Sequence, residues 1–279
     1  MHILRTPKEL SQTVDACRAN GQSVAMVPTM GALHQGHISL IDLARQHADV
    51  VVATIFVNPL QFNNPVDFDK YPLQMDHDVQ LLEQHGVQFL YAPSVDIMYG
   101  ANFSTSVHVA GITDVLEGSS RPGHFSGVST VIAKLFSAGR PDVAIFGQKD
   151  FQQFAVIQRM VSDLDMPIQL IMAPTIREPD GLAMSSRNIR LSDLARQEAV
   201  AIWQGLQAAQ DRFSAGIYES GILSQTVELA LASTSAVIDY VKVIDSATLK
   251  DLTTATHGCV IVVAVVLDGI RLIDNHMLA

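Results

Sequence analysis

Apolar and polar positions alternate in blocks over residues 1–175. Short apolar runs rich in β-branched residues predict buried strands at residues 23–28, 50–57, 87–91, 142–146 and 168–173. Segments with apolar residues at helical spacing predict helices at residues 10–20, 37–47, 76–85, 127–138 and 151–164. Because strands that alternate with helices form parallel sheets with right-handed crossovers, we expect a Rossmann-like, doubly wound α/β domain.

The pattern changes after the turn-forming residues 178–181. The elements expected beyond it are a long helix, a shorter helix and two strands, at residues 192–214, 223–232, 236–244 and 259–267. We therefore expect two domains, a Rossmann-like domain at residues 1–175 and a smaller α+β domain at residues 176–279.

Composition narrows the class of protein. Hydrophobic residues make up 48% of the chain and charged residues 16%, which favours a compact globule. The longest apolar run, residues 259–267, is far shorter than the roughly 18 residues of a membrane span. Residues 1–7 lack a secretory signal pattern, and the two cysteines, Cys17 and Cys259, form no C-x-x-C pattern. We expect a cytoplasmic protein without a membrane partner.

The net charge of −10 comes from 28 acidic and 18 basic residues. Such a surface repels nucleic acid phosphates and anionic lipids, so we expect no nucleic acid partner. An anionic substrate would be held by a few local cations. The composition thus favours an enzyme that acts on small molecules.

Residues 28–37 read P-T-M-G-A-L-H-Q-G-H, where a predicted strand gives way to a predicted helix. A helix N-terminus offers free N–H groups and a positive dipole end to a phosphate, and Gly31 and Gly36 allow tight turns there. His34 and His37 are three residues apart, so both rings can face one pocket and donate hydrogen bonds to a phosphate. The alternatives are a tight turn with one surface and one structural histidine, or a zinc site that lacks a third ligand.

Two further polar strings follow predicted strands. In residues 56–62, Asn58 and Gln61 are neutral amides that can bind hydroxyl and carboxylate groups, although Asn58 could also start a turn before a proline. In residues 147–153, Lys149 supplies a positive charge for phosphate oxygens, and the neighbouring aspartate an acceptor for ribose hydroxyls. A helix cap with a solvated lysine is the alternative there.

Residues 183–188 combine two hydroxyls with an arginine just past the expected domain boundary. Ser185, Ser186 and Arg187 can clamp phosphate oxygens, and their position favours a mobile lid. An ordinary interdomain turn is the alternative.

The segment His34-Gln35-Gly36-His37 resembles the H-x-G-H signature of the nucleotidyltransferase superfamily, which includes class I aminoacyl-tRNA synthetases. The longer string at residues 28–37 resembles the pantoate–β-alanine ligases specifically, and the other strings match that family in order over essentially the whole chain. The resemblance implies ATP-dependent condensation of pantoate with β-alanine through a pantoyl adenylate, releasing AMP and pyrophosphate. It also implies Mg²⁺ on the phosphates, a homodimer, and a lid role for residues 176–279.

The resemblance also implies roles for individual residues. Catalysis is assigned to His34, His37, Lys149 and Arg187. ATP binding is assigned to Met30, Gly31, Ala32, Leu33, His34, Gln35, Gly36, His37, Gly147, Gln148, Lys149, Asp150, Ile176, Met184, Ser185, Ser186 and Arg187. Pantoate binding is assigned to Asn58, Gln61 and Gln153, with Gln61 near β-alanine. Asp78 is a candidate for holding magnesium through water, with an exposed helix carboxylate as the alternative.

Weaker signals and one departure complete the pattern. Glu117 and Arg121 match the family and would shape the pocket edge or a subunit contact, or form a surface salt bridge. Leu73 and Gln74 stand where the family usually has arginine and threonine, a departure that counts against a charge role at these two positions. The rival functions are a sister nucleotidyltransferase with a dinucleotide-like product and an inactive nucleotide-binding sensor.

Overall fold

The computed structural model describes residues 1–63, 68–69 and 71–279. These residues form two compact units, each with its own apolar core. Unit 1 contains Met1–Gly147 and Gln152–Ala173, and unit 2 contains Gln148–Phe151 and Pro174–Ala279. Within the described part of the chain, no helix combines the length and apolar character that crossing a bilayer requires.

Unit 1 is built on a six-stranded sheet in which every neighbouring pair is parallel. Its strands are β1 (His2–Leu4), β2 (Val24–Thr29), β3 (Val50–Ile55), β4 (Phe89–Tyr91), β5 (Val143–Gly147) and β6 (Gln169–Ala173). Their order across the sheet is β1-β4-β3-β2-β5-β6. The expected Rossmann-like parallel sheet is confirmed.

The helices of this half of the chain cover both faces of the sheet. They are α1 (Pro7–Ala19), α2 (Gln35–His47), α3 (Met75–Gln84), α4 (Val95–Met98), α5 (Glu117–Ser120), α6 (His124–Gly139) and α7 (Phe151–Asp163). Successive strand residues point to opposite faces, so Val24 and Met26 enter one core cluster while Ala25 and Val27 enter the other. Burial on both faces explains why these strands are apolar throughout.

The N-terminal elements differ in detail from the sequence prediction. Strand β1 was not predicted, because its three residues, His2 to Leu4, do not belong to a longer apolar run. Helix α1 begins at Pro7 rather than at residue 10, because Thr6 starts a capping box. The Thr6 hydroxyl accepts from the N–H of Glu9 at 3.2 Å, and the Glu9 carboxylate accepts from the N–H of Thr6 at 2.9 Å.

Unit 2 contains a three-stranded antiparallel sheet of order β7-β8-β9, packed with helices. Its elements are α8 (Asp193–Glu198), α9 (Val200–Ser214), α10 (Ser220–Leu231), β7 (Val237–Ile244), β8 (Val260–Leu267) and β9 (Ile270–Met277). This arrangement confirms a smaller α+β C-terminal part.

Two predictions for unit 2 were wrong or incomplete. The single helix expected at residues 192–214 is two helices, divided at Ala199, where Ile202 N–H bonds to the carbonyl three residues back instead of four. Strand β9 was missed because Asp274 and Asn275 interrupt its apolar alternation, yet both side chains are buried.

Candidate active site

The strand order of unit 1 fixes where a ligand can bind. From β2 the chain steps outward through β3 and β4, and it then returns to the other side of β2 to form β5 and β6. The sheet therefore has a topological switch point between β2 and β5, and ligands of such sheets lie outside the carboxyl ends of the strands there. Residues 30–37 follow β2, and Gly147 is the last residue of β5.

The two histidine rings at the start of α2 are held by nearby backbone groups. Nδ1 of His34, the N-cap residue, accepts from the N–H of Gly36 at 3.1 Å, and Nδ1 of His37 accepts from the N–H of His34 at 3.3 Å. The ring centroids are 4.1 Å apart. Since Nδ1 accepts in both rings, each neutral imidazole carries its hydrogen on Nε2, as a phosphate-binding donor must.

The loop that leads into α2 is supported by Asp78 of α3. Its side chain is 1% exposed, and its two oxygens accept from the N–H of Ala32 at 2.9 Å and from the N–H of Leu33 at 2.8 Å. Gly31 has φ +84°, and a Cβ there would lie 3.0 Å from Asp78 Oδ2, so the carboxylate packs closely under this turn.

This geometry bears on the predicted magnesium role of Asp78. The alternative of an exposed helix carboxylate is wrong, and the occupation of both oxygens by backbone donors favours a positioning role over contact with a metal-bound water. Among the described residues, no three His, Cys, Asp or Glu side chains are grouped to hold a metal ion. Just before α3, Leu73 is 78% exposed and Gln74 is the N-cap residue.

Asn58 is buried and fully engaged in hydrogen bonds. Its Nδ2 donates to Gln61 Oε1 and to the Gly127 carbonyl, both at 3.0 Å. Its Oδ1 accepts from the Leu60 N–H at 3.3 Å and from the Tyr99 hydroxyl at 2.8 Å. With 1% exposure, Asn58 has the turn-forming geometry that was the alternative to substrate contact, and it orients Gln61.

Gln61 presents its amide nitrogen as a donor. Oε1 accepts from Asn58, so Nε2 is the end of the amide that is left to donate to another group. Nε2 lies 3.1 Å from Met30 Sδ, a weak acceptor that a substrate oxygen can replace. The Gln61 carbonyl accepts from Arg121 Nη2 at 3.2 Å and from His124 Nδ1 at 2.8 Å. Arg121 thus contacts the turn that carries Gln61.

Gly127 permits this turn to approach α6. A Cβ at Gly127 would lie 2.4 Å from the Leu60 carbonyl oxygen and 2.7 Å from the Gln61 nitrogen, which no side chain could tolerate without movement of the turn. Gly127 has no signal in the sequence, because its importance depends on a distant backbone segment, with Asn58 bonding to its carbonyl across 69 positions.

Gln152 is a second residue of the site that motif spacing did not identify. It is buried on α7, and its Nε2 donates to the carbonyls of Ile112 and Val115, both at 2.8 Å, while its Oε1 accepts from the Glu117 N–H at 3.0 Å. Gln153, the predicted pantoate residue next to it, is partly buried. The Gln-Gln pair in residues 147–153 was the available signal.

In unit 2, Lys149 and Asp150 lie in a short 3₁₀ helix, Gln148–Asp150. Lys149 Nζ is 3.6 Å from Asp150 Oδ1, and the lysine side chain is 21% exposed. The carbonyls of Gln148 and Lys149 each accept from Asn275 Nδ2 at 2.9 Å.

The segment predicted to hold phosphate oxygens, residues 183–188, follows a short antiparallel backbone pairing in unit 2. Met184 N–H donates to the Ile176 carbonyl at 3.0 Å, and Arg177 pairs with Ala183 in an antiparallel bridge. The Ser185 hydroxyl accepts from the Arg187 N–H at 3.3 Å. Several of the predicted site residues therefore contact one another within a unit. In unit 1, His34 contacts His37, and Gln61 contacts Met30 and Asn58. In unit 2, Lys149 contacts Asp150, Ile176 contacts Met184, and Ser185 contacts Arg187.

A doubly wound parallel sheet with H-x-G-H at the helix start beside its switch point defines a protein of the nucleotidyltransferase superfamily. A profile of the pantoate–β-alanine ligase family matches residues 2–277. The chain therefore belongs to the pantoate–β-alanine ligase family, and it is an enzyme of the ligase class.

Relatives and solved structures agree with this assignment. Pantothenate synthetases from Chlorobium phaeovibrioides and Moorella thermoacetica are each 45% identical and cover 100% of this chain, which spans 97% and 99% of them, respectively. The pantothenate synthetase structure from Thermus thermophilus has a TM-score of 0.95 at 40% identity, covering 100% of this chain and 99% of that one. The pantoate–β-alanine ligase from Francisella tularensis, complexed with β-γ ATP and β-alanine, has a TM-score of 0.82 at 36% identity, with 99% and 97% coverage.

Proposed function

We propose that this chain condenses pantoate with β-alanine, using ATP and forming a pantoyl adenylate as intermediate. The observation that carries the proposal is the pair of imidazoles at the start of α2, whose Nδ1 atoms accept from backbone N–H groups 3.1 and 3.3 Å away. Family membership supplies the substrates, and the ATP and β-alanine in the Francisella tularensis relative support the same ligands here.

The first half-reaction activates the carboxylate. A pantoate carboxylate oxygen attacks the α-phosphorus of ATP, the bond from that phosphorus to the bridging oxygen breaks, and pyrophosphate leaves. Negative charge grows on the α-phosphate and the leaving group. We assign Nε2 of His34 and of His37 to hydrogen bonds with these oxygens, because donors preorganised toward developing charge lower the barrier.

The second half-reaction forms the amide. The amine of β-alanine attacks the acyl carbon of the adenylate, AMP is expelled, and the new amide nitrogen loses a proton. Here the protein chiefly holds the reactants in line. Gln61 and Gln153 would bind pantoate, with Gln61 next to β-alanine, and the bonds from Asn58 would keep the Gln61 donor aimed at the substrate.

The phosphates of ATP require positively charged partners, and a protein with a net charge of −10 can offer these only as a few local cations. Lys149, Ser185, Ser186 and Arg187 would hold the outer phosphate oxygens, with Asp150 on the ribose. Magnesium would arrive on the ATP phosphates and take few protein ligands, in keeping with the engaged oxygens of Asp78. A homodimer, with residues 176–279 closing as a lid, belongs to the same proposal.

The deciding experiment separates the two half-reactions. ATP and magnesium are supplied with pantoate, with β-alanine, or with both, and pyrophosphate exchange and AMP release are followed. We expect exchange with pantoate alone and stoichiometric AMP and pantothenate only when β-alanine is added. Exchange that requires a phosphorylated substrate instead of pantoate would indicate a sister nucleotidyltransferase, and ATP binding without any turnover would indicate a sensor.

A further inference from the structure

Strand β9 buries two polar side chains next to each other. Asp274 is 3% exposed and Asn275 is 2% exposed, and they are consecutive residues of this strand. Burial of a carboxylate or an amide is costly unless its atoms are hydrogen-bonded. The partners that satisfy these two side chains therefore show what the residues do.

Asn275 binds the turn that carries Lys149. Its Nδ2 donates to the carbonyls of Gln148 and Lys149, each at 2.9 Å, and its Oδ1 accepts from Gln148 Nε2 at 3.2 Å. One side chain thus fixes two consecutive peptide groups and one side chain of this turn. The direction in which Lys149 leaves the backbone depends on those peptide groups.

Asp274 binds the base of the segment that leads to Ser185. Its carboxylate forms a two-pronged ion pair with Arg177, with distances of 2.6 and 3.1 Å. Arg177 also donates to the Gly181 carbonyl at 3.1 Å and lies over the ring of Trp203, 3.6 Å from its centroid. A planar guanidinium held by a carboxylate, a carbonyl and an aromatic face has little freedom to move.

The turn at Gly181 is closed against the same tryptophan. Gly181 has φ +98°, and a Cβ there would lie 2.1 Å from Trp203 Cδ1. Arg177 and Ala183 form a backbone bridge on either side of this turn, and Met184 bonds to Ile176 beyond it. The hydroxyl and guanidinium groups at residues 185–187 therefore follow directly from a segment that Asp274 anchors.

We infer that Asp274 and Asn275 are positioning residues that anchor both phosphate-binding segments of unit 2 to β9. Asn275 acts through Lys149, and Asp274 acts through Arg177 on Ser185, Ser186 and Arg187. Successive strand residues point to opposite faces, which is how adjacent positions can reach two separate segments. The inference rests on the proposed function, because that proposal assigns these segments to the phosphates.

A purely structural role would destabilise unit 2 without acting through Lys149, so the test is a double-mutant cycle. Asn275→Asp keeps the shape but places a carboxylate oxygen against two carbonyls. We measure the Kd of Mg-ATP by calorimetry for the wild type, Asn275→Asp, Lys149→Ala and the double variant. We expect Asn275→Asp to raise this Kd about tenfold, and to add almost nothing when Lys149 is already absent. Additive effects in the cycle would overturn the inference for Asn275.

A control and a second arm complete the design. Thr226→Val alters another buried polar residue of unit 2, whose hydroxyl bonds within α10, and it should leave the Kd unchanged. Asp274→Asn, paired with Arg187→Ala in the same kind of cycle, tests the other anchor and carries the test if Asn275→Asp fails to fold by circular dichroism. Additive effects there would overturn the role of Asp274.

The same samples distinguish the inference from the proposed function. Wild-type pyrophosphate exchange with pantoate tests the function, whereas the cycles measure ATP binding without turnover. In the variants that retain exchange, we expect the KM for ATP to rise while the KM for pantoate stays within about twofold of the wild-type value. An equal rise in both constants would contradict a role in positioning the phosphate segments.

Discussion

The H-x-G-H segment of unit 1 and the phosphate-binding segments of unit 2 are held in place in different ways. The rings of His34 and His37 are fixed by backbone N–H groups two and three residues away. In unit 2, the carbonyls of Gln148 and Lys149 depend on Asn275, 127 and 126 positions along the chain. Arg177 depends on Asp274, 97 positions away.

The geometry of the histidine motif is therefore supported by neighbours in sequence, whereas the geometry of the unit 2 segments depends on residues far away in the chain. A helix N-cap and the first helical turn reproduce the same local geometry wherever they occur, and the Nδ1 atoms of both histidines bond within that turn. The lysine and the serine–arginine segment acquire theirs only when β9 is in place. Removal of a group should therefore have different consequences in the two regions.

The largest expected effect comes from removal of a motif side chain itself. His37→Ala deletes a donor to developing phosphate charge, and loss of one such donor lowers rates by about 100- to 1,000-fold. Nδ1 of His37 bonds to a backbone N–H three residues away, and we expect the circular dichroism spectrum and the melting temperature to stay near wild type. Pantoate-dependent pyrophosphate exchange measures the loss.

His47→Ala is the matched control for this substitution. His47 is the exposed last residue of the same helix, and its removal should leave exchange unchanged. Undiminished exchange in His37→Ala would remove this residue from the mechanism. Unfolding of the variant would show instead that the motif depends on the fold as strongly as the unit 2 segments do.

An intermediate effect is expected at Asp78, which braces the H-x-G-H loop from another helix. Asp78→Asn leaves one acceptor oxygen but turns an amide N–H₂ toward the N–H of Ala32 or Leu33. A buried donor without an acceptor costs about 1–3 kcal/mol, and we expect a fall of that size in the free energy of unfolding. Exchange should fall about tenfold as the loop shifts, less than in His37→Ala.

Asp76→Asn provides the comparison, since Asp76 lies in the same first turn of α3 but is exposed. Chemical denaturation and exchange rates at several magnesium concentrations should be measured for both variants. If excess magnesium restored Asp78→Asn to wild-type exchange, the carboxylate would act on the metal and not as a brace for the loop.

The fold was predictable where periodicity is regular and unpredictable where burial is unusual. The apolar runs of β2, β3 and β5 indicated buried parallel strands, because both faces of such a sheet are covered. Strand β9 was missed because Asp274 and Asn275 break its pattern, and only their distant partners explain their burial. The division of one predicted helix at Ala199 likewise has no clear signal in the sequence.

The candidate site shows the same limit. Motif spacing identified the histidine pair, and the structure adds the hydrogen bonds that orient the rings. Asn58 and Asp78 were recognised as polar residues near the site, but their side chains bond within the protein. Gln152 and Asn275 were not recognised, because residue type alone does not reveal which backbone groups an amide will meet.

The smallest expected effect is the pH dependence of stability in unit 2. His276 of β9 packs edge-on against Trp203, with ring centroids 5.5 Å apart, beside the anchor formed by Arg177 and Asp274. Burial lowers the pKa of His276 below its ordinary value, the charge of Arg177 lowers it further, and Asp274 opposes this in part. The folded chain therefore binds this proton less readily than the unfolded chain does.

The sign of the pH effect follows from that difference. Well above pH 6.5 the imidazole is neutral in both states, and its contribution to stability is constant. As the pH falls below this value, the unfolded chain takes up the proton first, so the free energy of unfolding decreases. His276→Gln removes the titrating group and should reduce the loss of melting temperature between pH 7.5 and 5.5.

His257→Gln serves as the control, because it removes another histidine of the same unit, one whose side chain is exposed. If His276→Gln lost as much melting temperature as the wild type, another group would be responsible. A smaller loss would show that the strand that anchors the phosphate segments is also where unit 2 is sensitive to acid.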